Sequence, residues 1–140
     1  MPHRTILITH SDMSRLRRLL ESALHFLRRD RSHLEALEHE LNNAQVVPTE
    51  EIPQNVVVLN SRVRLRDLDT GRRTAYTLVF PKDSHTGEDR LSVLAPIGTA
   101  ILGRRLGDVV ECIVPAGVRM LKIEEVEEIS RGTLKFDDAA

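Results

Sequence analysis

A chain of 140 residues, carrying 20 Lys and Arg against 21 Asp and Glu, suffices for one domain with an appendage and is too evenly charged to bind nucleic acid through bulk electrostatics. Three Phe, one Tyr and no Trp leave the core to Leu, Val and Ile, and the lone Cys112 excludes an internal disulfide or a cysteine-only metal cluster. The apolar run Ile6 to Ile8 is too short for a signal peptide, and no stretch approaches the roughly twenty apolar residues of a membrane span, so a cytoplasmic protein is expected.

From Ser11 to about Ala44 the apolar period is helical. Ser11 suits an N-cap with Asp12 in the first turn, and Leu16, Leu19, Leu20, Ala23, Leu24 and Leu27 fall on one helical face. The polar cluster Arg28-Arg29-Asp30-Arg31-Ser32 interrupts this pattern, and Ser32 can cap a second helix bearing Leu34, Leu37, Leu41 and Ala44 at coiled-coil spacing. So short a link makes the helices an antiparallel hairpin, with Arg15, Arg17 and Arg18 facing Glu35, Glu38 and Glu40. An earlier end to the first helix, near Glu21, is the alternative. Narrow apolar faces predict a hairpin that projects from the body.

Val46 to Pro53 reads as a linker because its two prolines stop the helix, and Thr49 can cap a single turn there. Beyond it the period is two. Arg62, Arg64 and Arg66 alternate with Val63 and Leu65, and Asp69-Thr70-Gly71 turns the chain into Arg73 to Phe80, with Tyr76, Leu78 and Phe80 on one side. After the polar loop Pro81 to Asp89, a short strand runs into Ala95-Pro96-Ile97-Gly98. A brief helix then ends at Gly103, a turn comes at Gly107-Asp108, and two strands flank Pro115-Ala116-Gly117. The expected class is α+β: a hairpin over 1–47, a linker over 48–55, an antiparallel sheet of about five strands with one short helix over 56–130, and a disordered tail over 131–140.

No residues assemble a catalytic or metal site, and no cofactor is expected. His33-Leu34-Glu35 lacks the Pro-Cys-x-x-Cys that a deaminase requires, and His33 and His39 lie six apart rather than four. Gly98, Gly103 and Gly107 fit neither phosphate-loop spacing, Ser61 and Ser92 lack a nucleophile elbow, and the acidic run from Glu124 to Glu128 reads as a solvated strand face.

Asn43-Ala44-Gln45-Val46, Asn60-Ser61-Arg62-Val63 and Leu94-Ala95-Pro96-Ile97-Gly98 through Leu102-Gly103 and Gly107-Asp108 resemble, in order and spacing, the Gre-type transcript-cleavage factors. The similarity runs from about Ser11 to Ile129, and Ala95, where cleavage factors carry Ser, favours the short Rnk-type branch of that family. The resemblance implies an FKBP-like domain without isomerase activity. It also implies docking on bacterial RNA polymerase at the mouth of the secondary channel, against a coiled coil of the largest subunit. By the same resemblance the docking loop is Leu94, Ala95, Pro96, Ile97 and Gly98, with Asn60 and Ser61 as a second edge.

Transcript cleavage needs a long coiled coil with acidic residues at its tip to help hold a second magnesium ion. A helix from Asp12 to Arg29 spans only roughly 27 Å at 1.5 Å per residue. The tip Arg28, Arg29, Asp30 and Arg31 surrounds its one carboxylate with guanidinium groups, which repel a divalent cation. The expected function is therefore a non-catalytic regulator of transcription elongation that competes with longer Gre-type factors and touches nucleic acid only indirectly, through the polymerase. The alternatives are weak transcript cleavage through Asp30, with Glu35 of the second helix as a second carboxylate, and a prolyl isomerase on fold analogy alone. Phe26 and Leu27 near the tip leave self-association open, and no residue explains the link to nucleoside diphosphate kinase for which the branch is named.

Overall fold

The longest strand of the protein, β7 (Gly117–Glu128), organises the rest of the sheet. The structure is a computed structural model that describes residues 5–26, 31–128 and 132–135. Strand β1 (Leu7–Thr9) leads into helices α1 (His10–Phe26) and α2 (Ser32–Asn42), then β2 (Gln45–Val47), β3 (Arg62–Asp67), β4 (Arg73–Val79), β5 (Arg90–Ser92), helix α3 (Pro96–Ile101), β6 (Val109–Val114), β7 and β8 (Gly132–Lys135).

Within the six-stranded sheet the order is β5-β4-β3-β7-β6, and β8 also pairs with β7. The predicted hairpin is present: Arg66 faces Arg73 across an Asx-type turn in which the Asp67 carboxylate accepts the N–H groups of Asp69 and Thr70. Val63 and Leu65 are buried while Arg62 and Arg64 are exposed, as the period of two predicts. Opposite Arg64 and Leu65 the register skips Glu124 in a β-bulge, and its carboxylate takes both Arg66 (3.2 Å) and Arg73 (2.8 Å). This member of the acidic run is thus held by two arginines and not simply solvated.

Three expectations give way. The hairpin does not project: Leu16, Leu20, Leu34, Leu37 and Leu41 belong to the same buried cluster as Val63, Leu78, Ile101 and Ile123 of the sheet and α3. Its leucine seam is narrow because it is shared between the helix pair and the body. Secondly, Val46-Val47 is not merely linker, since β2 pairs in parallel with β1, Leu7 against Gln45 and Thr9 against Val47. The two helices are the crossover that parallel strands require. Thirdly, Gly132–Lys135 is not tail: it pairs with Glu125–Glu128 of β7 beyond the end of β6, on the edge of β7 that faces away from β3.

The helix caps also shift. Thr9 Oγ1, not Ser11, accepts the Asp12 N–H (3.2 Å), and α2 starts behind Arg31 with no side-chain cap, Ser32 being its first residue. Likewise Thr49 opens a single 3-10 turn, Thr49–Glu51, behind Pro48. Across the hairpin Arg17 reaches the Asn42 side chain and the Leu41 carbonyl, while Arg15 stacks on Phe80 at 4.3 Å from its ring centroid. Among the described residues, no helix is long and apolar enough to cross a membrane.

A shared core predicts shared unfolding. Leu37→Ala, at a site 2% exposed, should cost about 2–5 kcal/mol. Far-UV ellipticity, dominated by the hairpin, and the fluorescence of Tyr76 in the sheet should shift together in urea; a separate early helical transition would contradict the shared core.

Candidate functional site: the loop before α3

The parallel pairing of β4 and β5 brings the chain to the loop in a fixed register, Val79 beside Ser92. From there Ser92 organises the turn twice over. Its Oγ accepts the Leu94 N–H (3.1 Å) and its carbonyl accepts the Ala95 N–H (3.0 Å). Ala95 is extended (φ −72°, ψ 153°), as a residue before proline prefers, and Pro96 occupies the first turn of α3, where a missing N–H costs nothing. Thr99 closes that turn by donating its N–H to the Ala95 carbonyl and its hydroxyl to that of Pro96.

Two glycines let the surrounding chain approach. A Cβ on Gly98 would stand 2.2 Å from the Ser92 carbonyl oxygen, so this position admits no side chain. At Gly103 (φ +74°) a Cβ would meet that of Ile6 at 2.7 Å, and the Gly103 carbonyl accepts the Leu7 N–H. The result is a short apolar ridge with Leu94, Ala95, Pro96 and Ile97 half-buried and Gly98 beneath them. Ile97 continues into a groove of about 300 Å³ floored by Leu65, Tyr76, Val114 and Leu121 and rimmed by Asp67, Arg72 and Arg119.

Asn60 and Ser61 differ in role. Both join the end of β4: Leu78 accepts the Asn60 N–H (2.6 Å) and donates to the Ser61 carbonyl (2.9 Å). Asn60 is exposed, in the left-handed region at φ 70°, whereas Ser61 is 0% exposed with its Oγ accepting the Val58 N–H. Ser61 therefore shapes the turn and Asn60 presents it. Of the predicted tip, Arg28, Arg29 and Asp30 lie outside the described residues, as does Leu27. Arg31 donates to the Leu24 carbonyl at 2.9 Å, satisfying the last turn of α1.

Two contacts to α2 had no signal in the sequence. His33 Nε2 lies 2.9 Å from the Leu94 carbonyl oxygen, and Glu40 pairs with Arg104 at 2.8 Å, across separations of 61 and 64 residues. Burial pushes the Cys112 thiol up from its ordinary value, away from the thiolate a nucleophile needs. Burial also raises the Asp12 carboxyl, against the opposing pull of Arg15 and Thr9. Among the described residues, no three His, Cys, Asp or Glu side chains stand where they could hold a metal ion.

Comparison with known proteins places these features. Residues 52–128 match the family described as transcription elongation factor, GreA/GreB, C-term, and residues 4–47 match that described as Rnk N-terminus. The regulator of nucleoside diphosphate kinase of Escherichia coli K12 is 38% identical over 128 residues, covering 91% of this chain and 92% of that protein. Transcription elongation factor GreA of Clostridium botulinum Eklund 17B is 35% identical over 91 residues, 65% of this chain but 57% of that one. Among solved structures, the prokaryotic transcription elongation factor GreA/GreB from Nitrosomonas europaea is 41% identical, with a TM-score of 0.71 over 86% of this chain and 98% of that one.

Gly98→Ala should destabilise the protein by about 2–4 kcal/mol in urea titration, because the clash is with backbone; an unperturbed midpoint would mean the approach to Ser92 is relaxed in solution. Cys112 should stay unlabelled by a thiol reagent at mildly alkaline pH until denaturant is added.

Proposed function

This chain belongs to the GreA/GreB family of transcription elongation factors, in its Rnk-type branch, and from that membership we propose a non-catalytic regulator that docks on bacterial RNA polymerase at the secondary channel and competes there with longer Gre-type factors. The observation that carries the reading is the ridge Leu94-Ala95-Pro96-Ile97. It is apolar, partly exposed, and tied down at Ser92 and Gly98, so little conformational freedom remains to be lost on binding. In this reading the sheet with α3 is FKBP-like and grips a helical coiled coil of the largest subunit. Pro96 and Ile97 lie at the centre, Leu94, Ala95 and Asn60 flank them, and Gly98 and Ser61 act from beneath.

The hairpin sets the consequence of docking. We read 1–47 as the hairpin and 48–55 as the linker to the sheet, the two parts sharing one core. At 1.5 Å per residue, α1 with its 17 residues is roughly 25 Å long, and much of it lies against the body. That length favours occupation of the channel entrance over delivery of acidic groups to a distant active site. The groove beside Ile97 contains one aromatic ring, Tyr76, which supports docking rather than prolyl isomerisation. The reading requires no cofactor, leaves nucleic acid contacted only through the polymerase, and places the protein in the cytoplasm.

Titration of the fluorescently labelled protein with core polymerase tests this directly. Binding should be displaced by a cleavage factor, and Ile97→Asp should weaken it at least tenfold while the variant stays folded; no binding at micromolar concentration would sink the reading. Added to backtracked complexes with magnesium, the protein should produce no RNA shortening.

A further inference from the structure

We propose that His33 is the positioning residue of the docking ridge, so that the helical hairpin holds the ridge in its binding-competent shape; the inference rests on the docking reading above. A backbone carbonyl only accepts, so the hydrogen between His33 and Leu94 must sit on Nε2, which fixes the neutral imidazole in one tautomer. With this bond both polar backbone groups of Leu94 are held, its N–H by Ser92 Oγ and its carbonyl by His33. Leu94 stands two residues before Pro96 and opens the ridge. Without the imidazole its carbonyl would have to turn to water, and the peptide joining Leu94 to Ala95 would be free to rotate.

His33 can serve as a fixed point because α2 is itself anchored in the core. Leu34, Leu37 and Leu41 are at most 2% exposed, and at the other end of the helix Glu40 grips Arg104, just past the end of α3. The two ties run from the start of α2 to the start of α3 and from its end to the end of α3. Thus α2 is splinted along the helix that the ridge introduces. His33 acts through Leu94 and need not touch the polymerase.

The test compares polymerase affinity for the wild type, His33→Ala, His33→Gln and Arg17→Ala. Glutamine places an amide N–H close to where Nε2 stands, so it can restore the bond. Arg17→Ala removes a polar contact between α1 and the far end of α2, at Asn42 and Leu41, while leaving both the buried leucine seam and the His33 bond in place. His33→Ala should raise Kd about tenfold with an unchanged far-UV spectrum, His33→Gln should stay within about threefold of wild type, and Arg17→Ala should bind normally. Wild-type affinity in His33→Ala, or equal losses in His33→Ala and Arg17→Ala, would overturn the inference while leaving docking intact. Absence of binding by the wild type would instead overturn the docking reading. Should His33→Ala fail to fold, the imidazole nitrogen-15 spectrum of the wild type decides: a locked Nε2–H tautomer is expected, and rapid exchange between tautomers would refute the bond.

Discussion

Only glycine fits where the chain passes closest to α3. Gly98 lies against the Ser92 carbonyl at one end of the helix, and Gly103 against Ile6 and the Leu7 backbone at the other. Six residues of helix therefore become the meeting point of the molecule. Strand β1 is hydrogen-bonded to its exit, Val57 exchanges bonds with Gly103 and Arg104 just beyond, β5 leads into its start, and α2 lies along it. A side chain at either glycine would separate elements that share one core.

That convergence changes what the N-terminal helices do. Free of the body, an antiparallel pair of this size would be a marginal projection, since short helices draw most of their stability from tertiary packing. Packed on α3, the same leucines both close the core and brace the ridge before Pro96. Reach is exchanged for rigidity. Under the proposed docking, a factor built this way suits holding a position at the polymerase surface better than extending into it.

Much of this architecture was legible in the chain. The alternation of Arg62 to Arg66 with Val63 and Leu65, the turn at Asp69-Thr70-Gly71 and the leucine spacing in both helices derive from periods that backbone geometry imposes. Strands β1 and β2 were not legible, because three residues are too few to show a period and their pairing is parallel and non-local. The same holds for His33, Glu40 and Arg31, whose partners are set by packing alone. Glu124 read as part of a solvated strand face, yet it occupies a bulge between two arginines, and Asp67, which makes the turn, carried no signal of its own. For the ridge, the residues, Gly98 among them, came from family resemblance, whereas the hold of Ser92 and the close approach that keeps position 98 a glycine became apparent only in three dimensions.

The central claim is that the ridge before α3 is the face that meets the polymerase. A photo-cross-linking amino acid at position 97, in otherwise intact protein mixed with core RNA polymerase, measures this most directly. The account predicts one dominant cross-link, to the coiled coil of the largest subunit at the secondary-channel entrance, lost on addition of a competing cleavage factor. Cross-links to another subunit, or none from a folded protein that still binds, would contradict it.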